Sequence, residues 1–152
     1  MKNQVLFVPK YKIGNEATES KKDPVKDVAN AIASGAGFVA YAIGKHSFVV
    51  NTNVLVVGCL VSKGKIHKRL RNMLQTTPPE VVKKVIVFSV IKSGEETGLA
   101  AVKAILEPKG IMVCEEEFKC KAATRFSNRG KPTEEDIANA KTFGAEVVLK
   151  QK

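Results

Sequence analysis

Tryptophan is absent from this chain, tyrosine occurs twice, and aromatic residues make up only 6% of its 152 positions. Nothing in it resembles a platform of rings interleaved with cations, the pattern that stacks single-stranded bases. Histidine is as scarce: His46 and His67 are single and separated, and read as surface residues rather than general bases. The three cysteines, Cys59, Cys114 and Cys120, are odd in number and form no Cys-x-x-Cys pair. Neither a zinc site nor an iron–sulfur cluster follows from that spacing, and the thiols read as reduced and mostly buried. No residue is placed by sequence to activate Cys59, and no pair of carboxylates suggests acid–base chemistry, so no catalytic side chain is assigned. Long apolar runs are also missing. No segment is long enough to span a bilayer, and the first residues lack the apolar stretch and cleavage site of a signal peptide. A cytoplasmic protein is the expectation.

What is present is a chain of one domain's length with 44% apolar residues, enough for a substantial core. Its net charge of +10 is the unusual quantity. Such a balance points to an acidic partner, an anionic ligand or nucleic acid, and says nothing about fold.

The segment Val5–Ala33 is the richest in signal. Val5–Val8 reads as a strand, Lys10–Lys22 as a long polar loop, and Asp23-Pro24 as a helix start, because Asp caps well and Pro suits the first helical position. The loop carries Lys10, Tyr11, Lys12, Gly14, Asn15, Thr18, Ser20, Lys21 and Lys22. Hydroxyls, cations and flexible backbone ahead of a helix N-terminus are what an anion site requires. The alternative reading is a solvated surface loop. Glu16, Glu19 and Asp23 oppose an anion there, and Asp23 as N-cap would take the place a phosphate needs.

Further along, the helix Pro24–Ser34 stops at Gly35-Ala-Gly, and Phe38–Ile43 is a second apolar run. Lys45–Thr52 reads as loop or as a short extra strand through Ser47–Val50. Val54–Cys59 is an almost unbroken β-branched run, the mark of a strand buried on both faces. Gly58 and Gly64 bracket the loop that follows it. Ile66–Leu74 has helical spacing with basic residues between. Val85–Val90 is another buried-type strand, Glu95–Leu106 a helix after the Ser93-Gly94 turn, and Ile111–Phe118 a further strand. A basic loop, Lys121–Lys131, leads to a last helix. Thr133 is its N-cap, and Ile137, Ala140, Phe143 and Val147 form its apolar stripe. Alternating strands and helices with short connections predict a parallel sheet covered by helices on both faces. Ligands of such sheets bind outside the carboxyl ends of the strands, where the strand order reverses. The loops after Val8, Cys59 and Val90 should share that crevice.

The stretch from Glu115 to Val147 is similar to the end of the flavodoxin family, in which a strand ending Phe-x-Cys precedes a loop and a Gly-Arg/Lys-Pro-x-x-Glu-Asp helix start. The matching residues are Phe118, Cys120, Gly130, Lys131, Pro132, Glu135, Asp136, Ala140 and Phe143. The segments around Val54–Leu74 and Lys83–Gly94 resemble the family's third and fourth strands with their flavin-side loops, so the likeness covers nearly the whole chain. It implies a single α/β domain over residues 1–152: a flavodoxin-like, doubly wound, five-stranded parallel sheet in the order 2-1-3-4-5. It also implies non-covalent FMN and one- or two-electron transfer. The cofactor-binding positions it implies are Tyr11, Lys12, Gly14, Asn15, Thr18 and Ser20 in the first loop. Leu60, Val61, Ser62 and Gly64 follow in the second, and Val90, Ile91, Ser93 and Gly94 in the third. The family's Thr/Ser-x-Thr-Gly-Asn-Thr loop is altered here: Ile13 and Glu16 stand where threonines are expected, and no aromatic residue occupies the second or third loop.

The functional expectation is an FMN-binding electron-transfer protein serving a partner oxidoreductase. Alternatives are a flavodoxin-like binding or scaffold module that has lost FMN, and a flavin-dependent reductase acting on an anionic small molecule. Lys63, Lys65, Lys68, Arg69 and Arg71, with a second set at Lys121, Arg125, Arg129 and Lys131, suggest docking of a redox partner with an acidic face, or an anionic small molecule. Nucleic acid is not an expected partner, and neither a metal nor a membrane span is indicated.

Overall fold

The computed structural model describes residues 2–10, 23–44, 49–123 and 131–152. Their apolar runs pair as strands β1 (Lys2–Phe7), β2 (Val39–Ala42), β3 (Thr52–Ser62), β4 (Val82–Ser93) and β5 (Met112–Lys121). Every pairing is parallel, and the order is β2-β1-β3-β4-β5, the order expected. The central strands are buried on both sides, which is why they read as continuous apolar runs: Val54 and Val56 enter one half of the core, Leu55 and Val57 the other.

Four α-helices among the described residues cover the sheet: α1 (Pro24–Ala36), α2 (Lys68–Gln75), α3 (Leu99–Leu106) and α4 (Glu134–Phe143). Val25, Val28 and Ile32 of α1 and Ala140 of α4 share one core half with Val5, Phe88 and Phe118. Leu70, Met73 and Leu74 of α2 and Val102 and Leu106 of α3 share the other with Val57, Cys59 and Val87. The predicted starts of the outer helices are both present. Asp23 caps α1, and Thr133 and Asp136 form a reciprocal capping box on α4.

Four expectations are corrected or narrowed. First, β3 and β4 run on to Ser62 and Ser93, through positions read as loops. The register pairs Leu60 with Val90, Val61 with Ile91 and Ser62 with Ser93. No breaker interrupts these runs; Val61 is held by the α2–α3 half of the core, and Ile91 is buried. Gly58 stays within the strand because the ring of Phe88 lies over it: a Cβ there would sit 2.3 Å from the ring.

Second, α3 begins at Leu99 rather than Glu95. The Gly98 N–H donates to Ser89 Oγ (2.9 Å) and the Glu95 N–H to the Glu96 carboxylate (3.2 Å), so this backbone is committed outside the helix. Third, of the two readings of Lys45–Thr52, loop or short strand, the described part favours loop: Val49 and Val50, on the crossover from β2 to β3, are not in a strand. Residues 45–48 lie outside the described residues. The crossover is tied by the Ile43 N–H to the Phe7 carbonyl (2.7 Å) and the Lys2 N–H to the Asn51 carbonyl (3.2 Å). Buried Gln4 donates to Thr52 Oγ1 (3.0 Å), which in turn donates to the Val50 carbonyl.

Fourth, the apolar stripe of α4 passes to Val148 rather than Val147. A π-helical turn, Gly144–Val148, follows Phe143 and shifts the inward position by one residue. Gly144 is pressed against α1 there; a Cβ would lie 2.2 Å from the Ile32 carbonyl oxygen and 3.0 Å from Ala36 N.

Candidate functional site: the step between β1 and β3

The strand order reverses between β1 and β3, and the two strands end at different heights. The last tie between them is the Val8 N–H donating to the Gly58 carbonyl (3.1 Å). Beyond it β3 continues to Ser62. In a parallel strand the N–H and C=O of one residue point to the same neighbour, and alternate residues share that direction. Gly58 faces β1, so Leu60 turns its main-chain donor and acceptor the same way, and no described residue pairs with β3 there. Leu60 is half-buried against the α1–α4 half of the core. Among the described residues, β3 thus outruns β1 at the switch point, and the result is a step with Leu60 on the side that faces β1.

Above the step, the tips of β3 and β4 are tied into one rim. The Lys63 N–H donates to the Ser93 carbonyl (2.8 Å) and the Lys65 N–H to the Ser62 carbonyl (2.9 Å). Lys121 Nζ donates to the Gly94 carbonyl (2.8 Å) and pairs with Glu95 (2.9 Å). The structure thus brings Ser62, Gly64, Ser93 and Gly94 together at the rim and puts Leu60 below them. Val61, Val90 and Ile91 are corrected: each is at most 2% exposed, so their side chains belong to the core and not to a ligand surface. Tyr11, Lys12, Gly14, Asn15, Thr18 and Ser20 lie outside the described residues, as do His46, Arg125 and Arg129. Tyr41 is half-exposed on β2, beyond β1 from the step.

The N-terminus of α1 is already supplied with an anion. Asp23 Oδ1 accepts from the Val25 N–H (3.0 Å) and the Lys26 N–H (3.2 Å), and the residue is 9% exposed. Asp27 follows in the first helical turn, with a buried carboxylate oxygen that meets no donor among the described residues. These two carboxylates complement the helix dipole and leave this terminus unsuited to a phosphate.

Cys59 is the buried packing thiol that the sequence reading favoured. It is buried under α2, where its Sγ accepts the His67 N–H (3.4 Å), and burial pushes its thiol up to about 11. Ser89 is its register partner on β4. Adjacent strands thus use one small polar atom each to anchor the chain entering the next helix, Cys59 at His67 and Ser89 at Gly98. The sequence signal for Ser89 was a lone hydroxyl inside an apolar run. Cys120 is pushed up to about 12 by burial, with Asp136 adding to it, and Cys114 is raised by burial too. His67 caps α2 with Nδ1 accepting from the Arg69 N–H (3.0 Å), which requires the neutral ring. Partial burial and the Arg69 charge both hold its pKa below the usual value. Among the described residues, no group of His, Cys, Asp or Glu comes together that could hold a metal ion, and no helix is long and apolar enough to cross a membrane.

The two basic sets differ. In the second, Lys121 pairs with Glu95, and Lys131 lies 3.9 Å from Asp136. In the first, Lys63, Lys65, Lys68 and Arg71 are exposed and Arg69 is half-buried, and none forms an ion pair with a described residue.

No protein-family model matches the sequence, and no curated protein matches it. Among solved structures, the fold is similar to an NAD(P)H:quinone oxidoreductase from Methanothermobacter marburgensis. The TM-score is 0.58 with 12% sequence identity, over 96% of this chain and 98% of that one, a likeness that shows a shared fold.

Proposed function

We propose that this chain is a flavodoxin-like flavoprotein of oxidoreductase function, which binds FMN at the β1–β3 step and exchanges electrons with a partner protein. The observation that carries the reading is the step itself: at the switch point of a 2-1-3-4-5 sheet, β3 outruns β1, Leu60 turns main-chain donor and acceptor to the side of β1, and Ser62, Gly64, Ser93 and Gly94 gather at the strand tips above it. A flat polar heterocycle has its edge satisfied by such main-chain groups. The structural neighbour, an NAD(P)H:quinone oxidoreductase, agrees with this class of chemistry.

The fit differs between the two ends of the cofactor. The ring end suits the rim and Leu60. The phosphate end does not suit the N-terminus of α1, where Asp23 holds the free N–H groups. In this reading the phosphate falls to Gly14, Asn15, Thr18 and Ser20 with Lys12. Bound flavin would supply the electron chemistry, and the protein supplies position and electrostatics. The β3–β4 ladder and the buried side chains of Val61, Val90 and Ile91 make a rigid, water-free floor, and Lys63 and Lys65 set positive charge on the rim.

A second reading, a scaffold or binding module without flavin, is favoured by one observation, the Asp23 cap. An absorbance spectrum of the purified protein separates the two. Flavin bands support the first, and a colourless protein that binds neither FMN nor riboflavin supports the second. Binding of FMN and riboflavin with equal affinity would place the ring and leave the phosphate unheld.

A further inference from the structure

We infer that the outer face of α2, with the turn that leads into it, is a preformed docking surface for an acidic protein. This does not rest on the flavin reading. Lys63 and Lys65 on the turn, and Lys68 and Arg71 on the helix, are all exposed, with Arg69 half-buried beside them. Leu70, Met73 and Leu74 fill the opposite side of α2, so the cations are sorted onto the solvent side.

Several cations elsewhere among the described residues are used inside the fold. Lys103 pairs with Glu115, Lys121 with Glu95 and Lys131 with Asp136. Lys109 Nζ donates to the carbonyls of Leu74, Gln75 and Thr77, and Lys84 Nζ to that of Gln151. The α2 set has no such employment; it shares this with scattered lysines such as Lys26, Lys92 and Lys119, and differs from them in being gathered on one turn and one helix face. It also stands where the helix dipole opposes it: Lys68 and Arg69 open the first turn, which holds no acidic residue. A charge arrangement that works against its own helix is explained by a negative partner.

Both ends of the surface are fixed. Cys59 Sγ and the His67 cap hold the N-terminus, and Lys109 locks the last carbonyls. A partner would dock without ordering this helix, which removes one cost of association. The flank favours protein over nucleic acid. Glu95 and Glu96 are exposed at the neighbouring tip, and Glu96 packs on Gly64. Acids beside the strip repel a phosphate backbone but suit a protein face of mixed charge. The described residues of the strip include no aromatic ring on which a base could stack.

The test uses the full chain and two fluorescent probes, a twenty-residue polyglutamate peptide and a single-stranded oligonucleotide of equal charge. Anisotropy is read from low to physiological salt. The variants are Lys68→Glu/Arg71→Glu and, for the same change in net charge at the other end of the chain, Lys150→Glu/Lys152→Glu. The expected result is peptide binding that weakens with salt, falls at least tenfold in the α2 variant and is preserved in the control. The α2 variant should melt no lower than the parent, since an acid at Lys68 improves the fit to the dipole. Equal losses in both variants would overturn the inference, as a net-charge effect. So would oligonucleotide binding at least tenfold tighter than peptide binding and equally sensitive to the α2 change, which would assign the face to nucleic acid.

Discussion

Asp23 is the residue at which helix stability and ligand chemistry compete, and a short substitution series separates its two roles. Its Oδ1 serves two N–H groups of α1, at 3.0 and 3.2 Å, and its charge faces the positive end of the helix dipole. Replacing a capping Asp by Ala costs about 1 kcal/mol, in a range of roughly 0.5–2. The charge–dipole part of such a loss is about 0.3–1 kcal/mol, toward the higher end for a nearly buried group. Asp23→Ala should therefore lower stability by about 1–2 kcal/mol, or about 2–8 °C in Tm at roughly 2–4 °C per kcal/mol for a chain of this size. Asp23→Asn keeps an acceptor oxygen and loses only the charge, so it should cost about half as much or less. Calorimetry or thermal circular dichroism reads both. The same two proteins titrated with FMN report on the site: removing a carboxylate near an anion should leave affinity unchanged or tighten it. Asp23→Ala as stable as the parent, or Asp23→Asn as damaged as Asp23→Ala, would refute the capping argument. Weaker FMN binding by Asp23→Asn would refute the electrostatic one.

Gly144→Ala should destabilise by about 1–3 kcal/mol, since a Cβ 2.2 Å from the Ile32 carbonyl forces backbone apart; a melting curve unchanged from the parent would contradict the close crossing. The His67 cap depends on a neutral ring. Its folded pKa is lowered from 6.5, so its contribution is present above about that pH and is lost as pH falls through the folded value. The protection factors of the α2 amides, which are corrected for the intrinsic pH dependence of exchange, should fall between pH 7.5 and 5, and His67→Asn, a non-titrating cap, should abolish that fall. With thiols at about 11 for Cys59 and about 12 for Cys120, and Cys114 also raised, the native protein should be inert to a thiol reagent at pH 8. It should release three thiols on denaturation; rapid native labelling of Cys59 would contradict its place under α2.

The parts of this fold that were readable are those decided locally or by repeated burial. Val54–Val57 had to be a two-sided strand because every position is apolar, and Asp23-Pro24 and Thr133–Asp136 carry their caps in their own side chains. The strand ends were not readable, because Leu60-Val61 and Val90-Ile91 hold no breaker, and only pairing with one another decides how far they extend. Gly58 looked like punctuation and is instead room for a ring contributed by β4. Ser89 and Cys59 became helix anchors only once α2 and α3 lay over them. The π-helical turn at Gly144 could not be seen in a 3.6-residue period, since it arises from the crossing with α1. Of the candidate site, sequence singled out Ser62, Gly64, Ser93 and Gly94, which the structure gathers at the tips of β3 and β4. It could not show which cations of the two basic sets would find acids, because Glu95 and Asp136 meet theirs through tertiary structure.

The most direct test of the central claim is a fluorescence titration of FMN with the purified full-length chain. The account predicts saturable quenching with a dissociation constant at or below the micromolar range, about −8 kcal/mol. It also predicts weaker binding of riboflavin, because the first loop holds the phosphate. FMN fluorescence untouched at protein concentrations well above micromolar would contradict it, and would leave a flavodoxin-like sheet that serves as a docking module without its flavin.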